Sequence, residues 1–273
     1  MKTVQSSSFR VSTQKNKKIK VYVWAIICIL FMGNGKLYGQ DGDMDNQWDF
    51  LIEPYIMFSN MSGHLGVGVI PPVEVDAEPD DIFSRLQIGG MLYLEAHNAK
   101  WAITSDFIYM DLEQRVNADR VLIESGRANA KQLCYELAGL YRLNPYLEVG
   151  LAGRVNAVKS SLDVQTIGAV GDVRYESASL SEFWIDPVAV ARVSKTYNEK
   201  LYWIFRGDIG GFGIGSDLTW QIQAYVGYKF SKVIQSSVGD RVMSMDYETG
   251  SGRDYFRYDV RNFGPNIRIG FNL

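Results

Sequence analysis

The chain has 273 residues and a formal net charge of −3, from 28 Lys and Arg against 31 Asp and Glu. Seven of the basic side chains fall in residues 1–39, which carry no acidic group. The remaining 21 face 31 carboxylates, a net charge of −10 that excludes a nucleic-acid binder, which needs cations to displace counterions from phosphate. Two cysteines exclude a disulfide scaffold or multi-cysteine metal site, and 13% aromatics with only 7 prolines exclude a disordered tail.

The first element is an address. The basic run Lys15-Asn16-Lys17-Lys18-Ile19-Lys20 precedes an apolar stretch from Val21 to Met32 and small residues up to Gly39. That is the form of a secretory signal peptide, residues 1–39, cleaved near Gly39/Gln40. The apolar stretch is shorter than the roughly 20 residues a membrane-spanning helix needs, which argues against an uncleaved anchor. Cys28 lies mid-core after a bulky Ile27, which rejects a lipoprotein, and cleavage leaves Cys134 alone. Residues 40–46 hold Asp41-Gly42-Asp43-Met44-Asp45, a calcium-loop imitation without its closing glutamate, and are expected to form a flexible leader.

From Gln47 onward the pattern is period-2. Trp48, Phe50, Ile52, Pro54, Ile56 and Phe58 share one face of the first segment, opposite Asp49, Glu53, Tyr55 and Ser59. Ten such segments fall near 47–59, 84–97, 101–112, 127–142, 146–158, 182–195, 201–211, 217–230, 234–247 and 256–273. They are long for soluble strands, typically about 5–6 residues, and suit tilted membrane strands of roughly 9–11. Longer connections (60–83, 113–126, 159–181, 212–216, 248–255) interleave with short joints at 98–100, 143–145, 196–200 and 231–233. This is the rhythm of an all-β, up-and-down antiparallel transmembrane β-barrel with periplasmic turns and outward loops. About ten strands are expected over 47–273, with eight as the alternative. In 234–247 neither parity is convincingly apolar, and no faces are assigned there. Trp48, Trp101, Tyr146 and Trp220 sit where aromatic girdles belong.

The last strand alternates to its end and finishes on Phe271-Asn272-Leu273, and 206–221 is rich in glycine with spaced aromatics. On these residues the chain resembles small Gram-negative outer-membrane β-barrel proteins of the opacity/OmpA-like kind. The resemblance implies the cell outer membrane as location, lipid and lipopolysaccharide as surroundings, and the barrel-assembly machinery as a partner during insertion. Its diffuse motifs speak to architecture and not to activity.

Candidate chemistry is sparse. The inward parity collects Glu53, Glu95, Asp106, Glu136, Arg154, Arg192, Arg206, Asp208, Lys229 and Arg268. Either these line a polar channel or catalytic cluster, or they pair with one another to fill a narrow barrel, because an unpaired buried charge is costly. There are two histidines, His64 and His97. Only His64, near Ser59 and Ser62, could serve as a general base on the outer side. Glu74, Asp76, Glu78, Asp80 and Asp81 form an acidic loop without calcium-loop spacing, and 80–86 suits one helical turn folded over the barrel mouth. Gly210–Gly215 lacks the lysine and helix of a phosphate loop and fits a hairpin. The expectation is a monomeric, non-enzymatic barrel without cofactor, acting in envelope structure or surface interaction through loops 60–83 and 159–181. A low-conductance channel for small solutes and a lipid-modifying enzyme using His64 are the alternatives.

Overall fold

The computed structural model describes residues 47–68, 70–116, 123–167 and 173–273. The expected signal peptide and leader, and the loop tips at 117–122 and 168–172, lie outside the described residues. Twelve strands are described: β1 (Asp49–Met57), β2 (Asn60–Val67), β3 (Ile70–Ala77), β4 (Leu86–His97), β5 (Trp101–Val116), β6 (Ile123–Arg142), β7 (Leu147–Ile167), β8 (Val173–Tyr197), β9 (Leu201–Gly211), β10 (Leu218–Lys229), β11 (Ile234–Thr249) and β12 (Phe256–Asn272). One helix, α1 (Pro79–Arg85), precedes β4.

Ten of the strands form a closed antiparallel barrel. Each of β4 to β12 pairs with its sequence neighbour, and β1 joins β4 on one edge and β12 on the other. Closure leaves no free edge at membrane depth, which hydrocarbon demands because it offers backbone groups no water. The outer wall is a belt of apolar side chains: Ile56, Ile103, Leu137, Leu151, Ile185 and Ile267, among others, are exposed. A water-soluble monomer rarely shows so large an apolar surface, whereas a lipid-facing one requires it.

Short turns gather at one end with both described termini, the end that an outer-membrane barrel turns to the periplasm. Asn98 Oδ1 accepts from the backbone N–H groups of Lys100 and Trp101, each at 2.8 Å, and Asn144 Oδ1 does the same for Tyr146 and Leu147 at 2.9 and 3.0 Å. Asn198 and Glu199 take φ of 47° and 58°, the two left-handed positions of a tight hairpin turn. Trp101 packs edge-on against Tyr141 at this end, and Tyr228 against Phe230, as an interfacial girdle requires.

Three features of the outer end differ from the expected loops. The connection 60–83 is the β2–β3 hairpin followed by α1. β1 leaves β12 beyond Asn266, and β2 takes up the same edge of β12 from Phe263 to Phe256. The chain thereby pairs backbone groups that would otherwise stand open. Helix α1 packs beside the end of β1, with Phe83 and Phe58 ring centroids 5.5 Å apart. Finally, 159–181 is mostly strand: the β7–β8 ladder continues to Ile167↔Val173, and β5–β6 to Val116↔Gly126. At 20, 21 and 25 residues, β6, β7 and β8 run far past the roughly 9–11 a tilted crossing needs.

The structure also gives β11 its faces. Gln235, Ser237, Arg241, Met243, Met245 and Tyr247 are buried, so the odd positions point inward.

Candidate functional site: a charged lumen under an apolar cap

The parity of each strand fixes which residues meet in the lumen. Arg154 on β7 is completely buried, and all three nitrogens of its guanidinium donate. Nε and Nη2 donate to Glu136 Oε2 on β6 at 2.9 and 2.5 Å, Nη2 also to Asp208 Oδ1 on β9 at 2.7 Å, and Nη1 to Thr219 Oγ1 on β10 at 2.9 Å. Arg206 donates to the other oxygen of Glu136. Asp208 Oδ2 accepts from Gln221 Nε2 at 2.9 Å, and Gln221 Oε1 accepts from Arg241 Nε at 2.8 Å. Arg241 then donates to Asp106 Oδ2 and to the Tyr55 hydroxyl, at 2.8 and 2.9 Å. One hydrogen-bonded chain thus crosses the barrel from β7 to β1.

Nearer the periplasm a second knot forms. Arg192 on β8 donates through Nε to Glu148 at 2.5 Å and through Nη1 and Nη2 to Glu95 at 2.5 and 2.9 Å. Arg142 closes on Glu148 at 2.8 Å. Arg268 faces Glu53 at 3.6 Å and lies over the rings of Tyr225, Tyr55 and Tyr93, its guanidinium carbon 4.1, 4.8 and 5.1 Å from their centroids. Glu53 in turn accepts from Gln235 at 2.8 Å. Room for this packing comes from missing side chains: a Cβ on Gly227 would stand 2.2 Å from the Tyr202 ring.

Of the ten residues singled out in the sequence, Glu53, Glu95, Asp106, Glu136, Arg154, Arg192, Arg206, Asp208 and Arg268 meet here. Lys229 does not. It lies half-exposed one inward step below Gly227, in an open periplasmic cleft of about 720 Å³ with Lys200 and Lys232. The sequence reading passed over Arg241, whose strand had no assigned face, and Glu148, Asp186 and Gln221. Asp186 shares the parity of Arg192, which was signal enough. It accepts from the Ser216 backbone N–H at 2.6 Å and from Asn156 at 3.0 Å, tying the β9–β10 loop to the wall.

Above the charged levels the lumen turns apolar. Trp184 stacks on Tyr247 at 4.2 Å with the rings 5° from parallel, and Tyr258, Phe256, Met243, Met245 and Val260 close around them. Two internal voids in the described lumen measure about 20 and 40 Å³.

His64 lies on the exposed face of β2, opposite Asp259 on β12 and Glu74 on β3. Among the described residues its imidazole has no hydrogen bond or ion pair, so nothing fixes its orientation for general-base work. The acidic group does not converge either: Glu74 and Asp76 lie on β3, while Asp81 accepts from Arg85 at 3.1 Å and from the Glu78 backbone N–H at 3.4 Å. No group of three metal-ligating side chains occurs among the described residues.

No family model matches the chain, and no curated protein does. Solved structures match at low identity. The outer membrane protease OmpT from Escherichia coli aligns over 83% of this chain and 96% of its own at 9% identity and a TM-score of 0.46. Ail, the attachment invasion locus protein of Yersinia pestis, aligns over 83% and 98% at 9% identity and a TM-score of 0.35. The toluene transporter TodX of P. putida aligns over 83% and 90% at 9% and 0.34. The closed ten-strand barrel, its lipid-facing belt and its aromatic girdle independently make this chain a transmembrane barrel of the Gram-negative outer membrane.

Proposed function

We propose that the protein is a closed, monomeric, non-enzymatic outer-membrane barrel that serves envelope structure or surface interaction through its outward strand extensions. One observation carries this reading. Strands β6, β7 and β8 run on past the membrane as a ladder, while the lumen beneath is crossed by the Arg154–Glu136–Asp208–Arg241 chain and capped by the Trp184 stack. A chain that transported solute would gain little from filling its own bore. A chain that displays a surface gains a rigid pedestal. Its neighbours would be outer-membrane lipid and lipopolysaccharide, and its aromatic-ended β12 would engage the barrel-assembly machinery during insertion.

The test has two arms. Purified protein in planar bilayers should give no steady openings, and steady openings would overturn the closed lumen in favour of a narrow channel. Replacing residues 160–180 by a two-residue Asn-Gly turn should leave heat-modifiable gel mobility intact while abolishing attachment of expressing cells to one another or to a surface. Unchanged attachment would overturn the role given to the extension. For the enzymatic alternative, His64→Ala should leave lipid A and phospholipid profiles as in the wild type.

A further inference from the structure

The outer extension keeps one long open edge. β8 runs from Val173 to Tyr197, yet β9 pairs with it only from Val188 to Tyr197. No other strand joins that edge beyond Val188 among the described residues. The β9–β10 loop closes the lowest part, where a Cβ on Gly215 would stand 2.4 Å from Ile185 O. Residues 173–183 keep one side unpaired as the ladder runs out past the membrane.

The backbone fixes which groups that side presents. In an antiparallel ladder a residue turns its N–H and C=O to one side, and its neighbours turn theirs to the other. Ser194 donates its N–H to Tyr146 O at 2.9 Å, so the even positions of β8 face β7. Ile185 O and Pro187 O lie against Gly215 and Gly210, so the odd positions face the side of β9. The β7–β8 register runs to Ile167↔Val173 without a shift, which carries that parity along the whole strand. Val173, Tyr175, Ser177, Ser179, Ser181 and Phe183 each offer a donor and an acceptor to whatever lies alongside. Open edges are usually blunted by proline, lysine, a bulge or shortness. β3 carries Pro71-Pro72, and β5 passes beyond its pairing with β4 only at 113–116. Residues 173–183 have no proline, lysine or bulge, and so form a template for another strand.

The bounds of the edge select the occupant. A second copy laid antiparallel over 173–183 uses all six positions only when centred on Ala178, with Val173 opposite Phe183 of the second copy. Odd positions then meet odd positions, and every edge N–H and C=O is paired; a shift by one residue sets odd against even and loses them. This register, chosen without regard to charge, sets Arg174 opposite Glu182 of the second copy at both ends. Opposite charges directly across a ladder attract, and like charges repel.

We propose that residues 173–183 of β8 are a self-recognition edge, pairing antiparallel with the same segment of a second copy about a twofold axis at Ala178. Antiparallel strands lead to membranes on opposite sides of the pair. The second copy therefore belongs to an apposed membrane, and each barrel stays monomeric in its own. The proposal rests on the surface role given to the extension and names its partner.

The test uses the full-length mature barrel in phosphatidylcholine vesicles, with clustering followed by light scattering. Wild-type vesicles should cluster. Ser179→Pro removes an edge N–H but none of the β7 ladder, and should reduce clustering at least about ten-fold with heat-modifiable gel mobility unchanged. Ser179→Ala should cluster as wild type does. Glu182→Arg and Arg174→Glu should each reduce self-clustering about ten-fold, while the two variants mixed together should cluster as wild type. Under air oxidation Ala178→Cys should give a disulfide-linked dimer, because the two Cα atoms of such a pair stand roughly 4.5 Å apart, and Ser177→Cys should not. Wild-type vesicles that stay dispersed, mixed variants that cluster no better than either alone, or no dimer from Ala178→Cys would each overturn the pairing. Cell attachment lost on replacing 160–180 but kept in Ser179→Pro would also overturn it, leaving the surface role standing with a partner other than a second copy.

Discussion

The membrane section of the barrel and its outer extension obey opposite rules on the same strands. Along β11, the lower positions send Val238 and Val242 outward and Gln235, Ser237 and Arg241 inward. The upper positions send Ser244 and Asp246 outward and Met243, Met245 and Tyr247 inward. β12 inverts at the same level, from Phe263 and Ile267 outside over Asn266 and Arg268 inside, to Arg261 and Asp259 outside over Val260 and Tyr258 inside. The change runs round the barrel as a ring: Asp106 gives way to Ile108, Glu136 to Cys134, and Asp186 to Trp184. Below the ring the solvent is lipid and the interior must be polar to be distinct from it. Above the ring the solvent is water, and the strands pack as a soluble sheet protein does. One chain therefore has two cores, held by different forces.

The two cores should fail differently. Arg154→Ala leaves Glu136 and Asp208 buried beside each other with Arg206 as the one cation they still share, and is expected to cost about 3–5 kcal/mol in urea unfolding of the liposome-inserted barrel. Replacing the whole group, with Arg154→Met, Arg206→Met, Glu136→Leu and Asp208→Leu together, should restore most of that loss, because apolar residues of similar volume replace buried ion groups at little cost. If the quadruple variant stays as unstable as the single, the network does more than satisfy its own charges. In the upper core, Met245→Ala removes a buried side chain with no polar partner, and should cost about 2–3 kcal/mol as a plain cavity. Its effect should add to that of Arg154→Ala: the levels are joined through Arg241, which donates to Met243 Sδ at 4.0 Å, and through Ser216 between Trp184 and Asp186, but not through Met245. A coupling above about 1 kcal/mol between them would join what the inversion ring separates.

The ring also explains what the sequence made legible. Strands that lie mostly below it, such as β9 and β10, keep one apolar parity from end to end, and their faces and bounds follow from alternation alone. β11 crosses the ring near its middle, so both parities carry apolar residues and neither stands out. Its inward Arg241, the link between the two sides of the network, was hidden for that reason. The extensions of β7 and β8 run through Ser160-Ser161 and Ser177-Ala178-Ser179, where no lipid enforces alternation, and they resembled loop. β3 carried Pro71-Pro72, which argues against a central strand but is tolerated at an edge, and β3 pairs only with β2 among the described residues. Lys229 had the correct parity and the wrong depth. Alternation reports which face a residue takes, not how far along the axis it stands, and only strand register supplies that.

The outer wall supplies the weakest and most pointed test of the inversion rule. Asp240 is exposed on the lipid face of β11, opposite Ala224 and Pro265. Its rung lies midway between Trp220↔Ser244 and Tyr228↔Ser236, so it sits near mid-membrane, with no hydrogen bond or ion pair to its carboxylate among the described residues. Every neighbouring outward position on its strand and its partner's, Val238, Val242, Ile222 and Val226, is apolar. An acidic side chain facing hydrocarbon costs less than the roughly 2–4 kcal/mol of a midplane Arg or Lys, but it still costs. Asp240→Leu should therefore stabilise the liposome-inserted barrel by about 1 kcal/mol in urea unfolding, with gel mobility unchanged. A loss of stability instead would mean that the carboxylate is met within the membrane by a cationic or donor group of another molecule, and that this part of the wall is not simply a face for lipid.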